Sequence, residues 1–305
     1  MTSTRSATYR DSLTLPSPLH QAHAQAMYPP LTLERARFSG SRLVFDSADG
    51  FARGIEQGFF LLKIPQGMVC AAADQFARQF YLPDDGYREM EVPGLYQGYF
   101  DRPHDQWENF YIERDNWHLL PRAVAMLGTQ LASLGLNVLR NTFAYLELPA
   151  FDWPRISSGL TDNCGHQMLA FNHFRCAKNA RGCKFHRDSG WVTVLRSTEP
   201  GLYAWIDGQV RAINPLPGYF IINFGSSFEV LTERLATPVR ANIHGVAQLE
   251  PRPVESERTS YTLFLDSALD GNLYQYRNGR AVVVQSVAQF AEQEVARTYD
   301  QTARL

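Results

Sequence analysis

The clearest regular pattern in the chain follows Pro121, where apolar residues recur every three to four positions. They are Val124, Leu127, Leu131, Leu134 and Val138. This period places apolar side chains on one face of an α-helix, so we expect one long helix here that packs against a sheet. The same spacing, at Met68, Ala72, Phe76 and Phe80, predicts a second helix that ends near Pro83.

Elsewhere the pattern indicates short strands separated by turn residues. Residues 42–45 predict a first strand, and from about Met168 onward alternating strands dominate the chain. Asp207 and Gly208 predict a tight hairpin. The pattern loosens after Asp266 until residues 286–289, which have the capping-box sequence typical of the start of a final helix.

These elements predict one domain that is mainly β with helical additions. Short antiparallel strands around a cavity suit a double-stranded β-helix, the two-sheet jelly roll, flanked by N-terminal and C-terminal helices. We expect residues 33–305 to form this single domain. Residues 1–32 are polar, contain four prolines and show no sustained period, so we expect an irregular N-terminal arm.

Composition narrows the class of protein. The chain has 305 residues, 45% of them hydrophobic, and a net charge of −2. This charge gives no reason to expect a nucleic-acid partner. No apolar run is long enough to span a membrane, and the N-terminus lacks the core of a signal peptide, so we expect a cytoplasmic protein with no membrane partner. The four cysteines show no Cys-x-x-Cys spacing and are expected to be free thiols.

The candidate chemistry centres on His186, Asp188 and His244. Residues i and i+2 of a strand project from one face, so His186 and Asp188 are expected to point into one cavity with Arg187 pointing away. His244 lies in a second predicted strand, 239–246, that can reach the same cavity. Two imidazoles and one carboxylate on one face of a metal leave three octahedral positions open, as in non-heme Fe(II) oxygenases.

A second pair, Arg258 and Ser260, repeats the i, i+2 spacing. An arginine fork and a hydroxyl on one strand face can bind a planar anion, and arginine matches a carboxylate with two parallel hydrogen bonds. A metal beside a buried carboxylate receptor is suited to a keto-acid cosubstrate.

The order of these motifs resembles that of the iron- and 2-oxoglutarate-dependent oxygenases of the isopenicillin N synthase-like family. The resemblance covers roughly residues 33–266. It includes the stretches 58–62, 186–195, 201–209, 215–224, 229–232 and 258–265. The chain departs from the family in ending one strand with Asn223-Phe224-Gly225-Ser226, without the usual acidic residue. It also has Phe174 where a tyrosine often contacts the cosubstrate.

The resemblance implies a catalytic iron held by His186, Asp188 and His244. It implies 2-oxoglutarate bound by Arg258, Ser260 and Asn172, and ascorbate as an optional addition in vitro. The implied reaction uses O2 to oxidise a small natural-product or amino-acid-like substrate by hydroxylation, desaturation or ring closure, with release of succinate and CO2. The run of residues after Arg258 favours secondary metabolism, and Asp188 disfavours halogenation. The sequence does not indicate an oligomeric state.

Three alternatives stay open at this point. One is an iron oxidase of the isopenicillin N synthase type that needs no keto acid, since such enzymes keep the Arg-x-Ser pair. Another is a non-catalytic small-molecule receptor of the same fold, which the intact ligand set disfavours. The third is a zinc hydrolase or isomerase on a cupin-like barrel, which would need a further acid/base residue.

Candidates for the substrate cavity are aromatic and arginine side chains. The aromatic candidates in the sheets are Phe174, Trp191, Tyr203, Trp205 and Phe228, and those nearer the N-terminus are Tyr96, Tyr99, Phe100, Phe110 and Tyr111. The arginine candidates for a substrate carboxylate are Arg102, Arg187 and Arg196.

Overall fold

The computed structural model describes residues 21–298. Its fifteen strands, in chain order within that range, are β1 Arg35–Ser39, β2 Arg42–Phe45, β3 Phe59–Lys63, β4 Gly98–Asp101, β5 Trp107–Glu113, β6 His166–Phe174, β7 Cys183–His186, β8 Val192–Ser197, β9 Leu202–Ile206, β10 Gln209–Ile213, β11 Tyr219–Phe224, β12 His244–Val246, β13 Thr259–Asp266, β14 Asn272–Arg277 and β15 Arg280–Ser286. Its α-helices are α1 Gln21–Met27, α2 Gly50–Gln57, α3 Ala71–Phe76, α4 Arg122–Tyr145, α5 Trp153–Ile156, α6 Ser226–Thr232 and α7 Val287–Thr298.

Two β-sheets face each other, as expected for a jelly roll. The larger has nine strands in the order β2-β1-β3-β11-β8-β13-β6-β5-β4, and the smaller has four in the order β10-β9-β12-β7. Strands β14 and β15 form a separate hairpin. Side chains from both sheets, including Leu61, Ile221, Leu202 and Val246, form one apolar cluster between them. The interior between the sheets is therefore the place where inward-facing polar residues can meet.

A larger apolar core covers the other face of the nine-stranded sheet. The predicted stripe on α4 is buried: the exposed fractions of Val124, Leu131 and Val138 are 1% or less. These side chains pack in the same cluster as Val194 and Leu263 of the sheet. The prediction of one long helix packed on a sheet is confirmed, because burial of the apolar face is what stabilises an amphipathic helix.

Several predicted elements are present at or near their expected positions. The hairpin between β9 and β10 turns at Asp207 and Gly208, both with positive φ (50° and 78°), the conformation that a two-residue hairpin requires. At the start of α7, the Ser286 hydroxyl accepts a hydrogen bond from the Gln289 N–H at 3.2 Å, as the capping-box sequence predicted. The four cysteines are free.

One strand prediction is confirmed in its bounds but not as the first strand, and another was too long. Residues 42–45 do form a strand, but β1 precedes it and pairs with both β2 and β3. The predicted strand 239–246 is reduced to β12, His244–Val246. The residues before it bond to the end of α2: the Arg240 N–H donates to the Ile55 carbonyl at 3.0 Å, and the Asn242 side chain donates to the Gln57 carbonyl. These bonds replace a strand ladder.

The predicted irregular arm, 1–32, lies partly outside the described residues. In its described part, residues 21–27 form helix α1, with Ala24 fully buried, and Pro30 makes a β-bridge with Ala212. This part is regular where the sequence predicted irregular structure, because Ala24 packs on the outer face of the small sheet against Tyr203 and Val210. Among the described helices, none has the length and hydropathy needed to cross a membrane.

Candidate active site

His186 and His244 face each other across two neighbouring strands. In the antiparallel ladder of β7 and β12 they are direct partners, and their ring centroids lie 5.0 Å apart. Directly opposed residues place their side chains on the same face of a sheet. The expectation that His244 reaches the cavity from a neighbouring strand is confirmed.

The backbone sets the tautomer of both rings. His186 Nδ1 lies 2.8 Å from the Lys184 carbonyl oxygen, and His244 Nδ1 lies 3.0 Å from the Asn242 carbonyl oxygen. A carbonyl oxygen only accepts, so each Nδ1 carries the proton and each neutral ring presents the lone pair of Nε2 to the cavity. This arrangement orients a histidine for metal binding.

Asp188 reaches the same point, but not from the strand that its spacing suggested. Strand β7 ends at His186, and Asp188 lies in the loop before β8. Two donors fix its carboxylate: the Thr193 hydroxyl at 2.6 Å and the Asn223 amide at 2.7 Å, both to Oδ2. Its backbone carbonyl accepts from the Ser226 N–H at 2.8 Å. Hydrogen bonds therefore provide the placement that strand alternation was expected to give.

The three ligand atoms are spaced for one ion. Asp188 Oδ1 lies 3.6 Å from His186 Nε2 and 3.5 Å from His244 Nε2, and the ligand atoms of the three residues all lie within 4.8 Å of one another. Donors that share a first-row transition metal at about 2.0–2.2 Å lie at most about 4.4 Å apart. Both measured pairs satisfy this limit, so the residues fit a metal ion bound through two nitrogens and one oxygen.

The electrostatics of this cluster also favour a cation. Burial disfavours charge on His186 and His244, yet the Asp188 carboxylate raises the pKa of both rings, that of His186 to about 9. Burial would raise the pKa of Asp188, but the two histidines hold it well below its usual range. The pocket therefore stabilises positive charge at the point where the three side chains meet.

Arg258 lies in the same interior and is 2% exposed. It immediately precedes β13, with its guanidinium carbon 4.7 Å from the centre of the Phe174 ring. One nitrogen donates to the Ser197 hydroxyl at 3.2 Å, whereas Nε has no hydrogen-bond partner among the described residues. Burial lowers the pKa of Arg258 to about 10. A buried guanidinium with an unused N–H is suited to bind an anion.

Ser260 and Asn172 stand beside this arginine, as direct partners in the ladder of β13 and β6. The Asn172 amide is 3.4 Å from the Ser260 hydroxyl oxygen, and its own oxygen accepts from the Trp107 indole N–H at 2.8 Å. The structure therefore brings all six predicted site residues to one cavity of about 90 Å³.

A larger cavity of about 380 Å³ adjoins this inner one. Both are lined by His186, Asp188, Tyr111, Thr193 and Phe264. Much of the outer wall is apolar and comes from Leu95, Tyr96, Met168, Leu269, Val287, Phe290 and Ala291. The volume lies in the range of small-molecule sites. Helix α7 thus lies beside the mouth of this cavity.

The polar wall of the outer cavity contains a charged group from each of three adjacent strands. His166 Nδ1 bonds to the Glu113 carboxylate, which raises the pKa of His166. Asp266 is the ladder partner of His166 and accepts from the Ser189 hydroxyl at 3.1 Å. Burial outweighs that hydrogen bond and raises the pKa of Asp266 to about 6.

Some of the predicted substrate-cavity residues line a cavity, and the others do not. Phe174 and Tyr111 line the inner cavity, and Tyr96, Arg102 and Arg187 line the outer one. The other aromatic residues lie elsewhere. Trp191, Phe228 and Phe110 are in the α4 core and Tyr99 packs against it, Phe100 packs on Tyr111, and Tyr203 and Trp205 are in a cluster with Ala24. Arg196 pairs with Asp74 at 3.1 Å. Arg187 faces the outer cavity and donates from Nε to the Ala241 carbonyl.

Sequence reasoning missed the two side chains that hold Asp188. Thr193 and Asn223 are 4% and 3% exposed. Asn223 lies in a strand that is otherwise apolar, and Thr193 lies between two buried valines of β8. A polar residue inside a fully buried strand needs a hydrogen-bond partner. The run Tyr219–Phe224, interrupted by Asn223, therefore contained a usable signal. Most of the outer cavity wall had none, because an apolar side chain in a cavity has the same sequence pattern as one in the core.

Comparison with known proteins agrees with this geometry. Residues 165–267 match the model of the 2OG-Fe(II) oxygenase superfamily. The oxoglutarate-dependent flavonoid 7-O-demethylase 1 of Ocimum basilicum is 26% identical over 170 residues, covering 51% of this chain and 42% of that protein. DMR6-LIKE OXYGENASE 2 of Arabidopsis thaliana is 36% identical over 70 residues, covering 22% of this chain and 20% of that protein. The matched part thus spans less than half the length of either relative.

Solved structures show the same fold. A crystal structure of JOX2 in complex with 2OG, Fe and JA has a TM-score of 0.71 at 17% identity, covering 95% of this chain and 92% of that chain. The dioxygenase for auxin oxidation in rice has a TM-score of 0.64 at 19% identity, covering 87% of this chain and 95% of that chain. The chain thus shares the fold of these structures, and its residues 165–267 match the 2OG-Fe(II) oxygenase superfamily.

Proposed function

We propose that this protein is an Fe(II)- and 2-oxoglutarate-dependent dioxygenase that oxidises a small organic molecule. The observation that carries the proposal is the shared inner cavity, which contains a three-residue metal cluster and, beside it, a buried guanidinium with an unused N–H. His186, Asp188 and His244 would hold the iron. Arg258, with Ser260 and Asn172, would bind the far carboxylate of 2-oxoglutarate.

The bound iron would supply the activation of O2. The residues of this chain would orient the metal ligands and set the surroundings of Arg258. The carbonyls that accept from each Nδ1 orient both imidazoles and leave Nε2 as the atom that would bind the iron. Thr193 and Asn223 hold the Asp188 carboxylate in place. Phe174, Leu195, Leu202 and Val246 give the inner cavity apolar walls beside Arg258, and an apolar environment strengthens the attraction between a guanidinium and a carboxylate.

The balanced reaction converts R–H, 2-oxoglutarate and O2 into R–OH, succinate and CO2 when the outcome is hydroxylation. Desaturation or ring closure of the substrate would use the same oxidising equivalents. The retained Asp188 occupies the position that a halide would need, which disfavours halogenation. The outer cavity supports a substrate of small to medium size with a largely apolar body. By its name, the Ocimum basilicum relative acts on a flavonoid, and JOX2 was crystallised with JA. Both are small molecules.

The test is release of succinate from 2-oxoglutarate by the iron-loaded protein, screened against candidate metabolites in air. We expect turnover that requires 2-oxoglutarate, is absent without O2, and is abolished in His244→Ala while the melting temperature stays close to that of the wild type. The control is His118→Gln, which changes a histidine outside both cavities. Full turnover by His244→Ala would refute the assignment. Substrate oxidation without added 2-oxoglutarate would support an oxidase that needs no keto acid.

A further inference from the structure

A buried charged cluster lies behind the inner cavity, on the opposite side of strand β6. The ring of His173 stands between two carboxylates: Nδ1 is 2.6 Å from Glu108 Oε1, and Nε2 is 2.8 Å from Glu257 Oε2. The side chains of these three residues are 3%, 5% and 5% exposed, in the order His173, Glu108, Glu257. Their sequence separations of 65 and 84 residues mean that the cluster joins distant parts of the chain.

Hydrogen bonds and stacking fix the position of the ring. Each ring nitrogen of His173 lies within hydrogen-bond distance of a different carboxylate. Tyr81 stacks on the ring, with ring centroids 3.5 Å apart and an interplanar angle of 6°. The outer oxygen of Glu108 accepts from the Tyr99 hydroxyl and lies 3.6 Å from Arg175. Each group in the cluster therefore has partners that hold it in one position.

Glu257 connects this cluster to the inner cavity. It precedes Arg258, and successive residues of an extended segment point to opposite faces. One oxygen of Glu257 bonds to His173, and the other accepts from the Cys176 N–H at 2.6 Å. The Phe174 N–H donates to the Arg258 carbonyl at 3.1 Å. Glu257 is thus fixed on the outer face of the sheet, and Arg258 must project from the inner face.

We propose that His173 and Glu257 are positioning residues for Arg258: they set where its guanidinium enters the inner cavity. The proposal rests on the proposed function, since it takes the far carboxylate of 2-oxoglutarate as the partner of Arg258. Neither residue is among those that line the inner or the outer cavity. Their effect on binding must therefore pass through the backbone of residues 257–258.

The experiment measures the dissociation constant of 2-oxoglutarate by calorimetry on iron-loaded protein without O2. Glu257→Gln keeps the size of the side chain but removes the charge that His173 holds, and we expect this constant to rise about tenfold. His173→Gln should act in the same direction. The affinity for iron should stay within about twofold of the wild type, since neither residue contacts the metal cluster.

The matched control is Tyr99→Phe, which removes a hydrogen bond to Glu108 on the side of the cluster remote from Arg258. It should leave the 2-oxoglutarate affinity unchanged. In an Arg258→Ala background, Glu257→Gln should cause no further loss, because its effect depends on the guanidinium. An equal loss in that background would show a merely structural role and overturn the proposal.

Two results distinguish this proposal from the one it rests on. If Arg258→Ala weakens 2-oxoglutarate binding but Glu257→Gln and His173→Gln do not, the positioning role is wrong and the assigned function stands. If Arg258→Ala leaves 2-oxoglutarate binding unchanged, the assigned role of Arg258 is itself wrong. Melting temperatures of all variants show whether a weak binder is folded.

Discussion

At the scale of single residues, Arg258 has a charge that its surroundings in the described chain do not neutralise. Its Nε has no partner there, and its guanidinium packs on Phe174. Removal of one partner from a buried, charge-assisted pair costs about 2–5 kcal/mol, whereas a neutral hydroxyl contributes about 0.5–1.5 kcal/mol. The carboxylate that completes this site should therefore depend on Arg258 far more than on Ser260.

This difference predicts a graded series of variants. Arg258→Ala should raise the 2-oxoglutarate concentration needed for half-maximal turnover by at least tens of fold, and Ser260→Ala by about tenfold or less. Arg258→Lys should recover only part of the loss, because a point charge cannot reproduce a planar fork. The measurement is initial rate against 2-oxoglutarate at fixed iron and substrate.

The control for that series is Arg196→Ala, since Arg196 pairs with Asp74 and lines neither cavity. It should leave the 2-oxoglutarate requirement unchanged. If Arg258→Ala alters only the requirement for the other substrate, Arg258 binds that substrate instead.

A second single-residue effect concerns pH. The hydrogen bond to Glu113 raises the pKa of His166 above that of the unfolded chain, about 6.5. The folded state then binds the proton more tightly, so the stabilisation is complete below the unfolded pKa and is lost as pH rises through the folded value. Melting temperatures of wild type and His166→Gln from pH 5 to 9 should converge as pH rises.

Asp266, the ladder partner of His166, is present in both wild type and His166→Gln. Its own contribution to the difference in melting temperature therefore largely cancels. The corresponding control is His118→Gln, where Nδ1 faces a backbone carbonyl and not a carboxylate. A gap between wild type and His166→Gln that stays constant across this range would contradict the assigned cause.

At the scale of elements, the start of α6 is packed directly against the loop that carries Asp188. Gly225 has an extended backbone, with φ −97° and ψ 172°, which any residue can adopt. A Cβ there would lie 2.2 Å from the Gly190 carbonyl oxygen and 3.0 Å from that of Asp188. The requirement for glycine is therefore one of space and not of conformation.

Gly225→Ala should displace the 188–190 loop and with it the third metal ligand. We expect weaker binding of iron, together with a stability loss of about 1–3 kcal/mol, the usual cost of overpacking. Ser226→Ala is the matched control in the same turn, since it removes a hydroxyl without a hydrogen-bond partner among the described residues and adds no atom. Normal iron content in Gly225→Ala would show that the loop can move without loss of the ligand.

The elements also show what the sequence could predict. Helix α4 and the 207–208 hairpin followed from local patterns, because each depends on residues close together in the chain. Strand β1 was missed because Arg35 and Arg37 give it a polar appearance, and only the Ala36 side is buried. The placement of Asp188 depends on Asn223, 35 residues away. Such a contact is set by the packing of β8 and β11 and is not visible in a local pattern.

In the molecule as a whole, the inner and outer cavities are walled by different kinds of element. The inner cavity, between the sheets, is enclosed by strands, whereas the outer cavity is completed by α7 and by the loop that contains Leu95 and Tyr96. The pattern of alternating strands predicted the enclosed part well. It predicted the outer part poorly, because loops and a terminal helix add the wall that faces the substrate, and their contacts depend on the assembled fold.

The two hydrogen bonds on Asp188 have a consequence for coordination. Thr193 and Asn223 both donate to Oδ2, which leaves Oδ1 as the oxygen that faces the imidazoles. The denticity of this carboxylate is thereby decided by its neighbours, and it can offer an ion only one atom. An octahedral ion held by these three protein atoms would keep three positions open, the number that a chelating keto acid and one molecule of dioxygen would require.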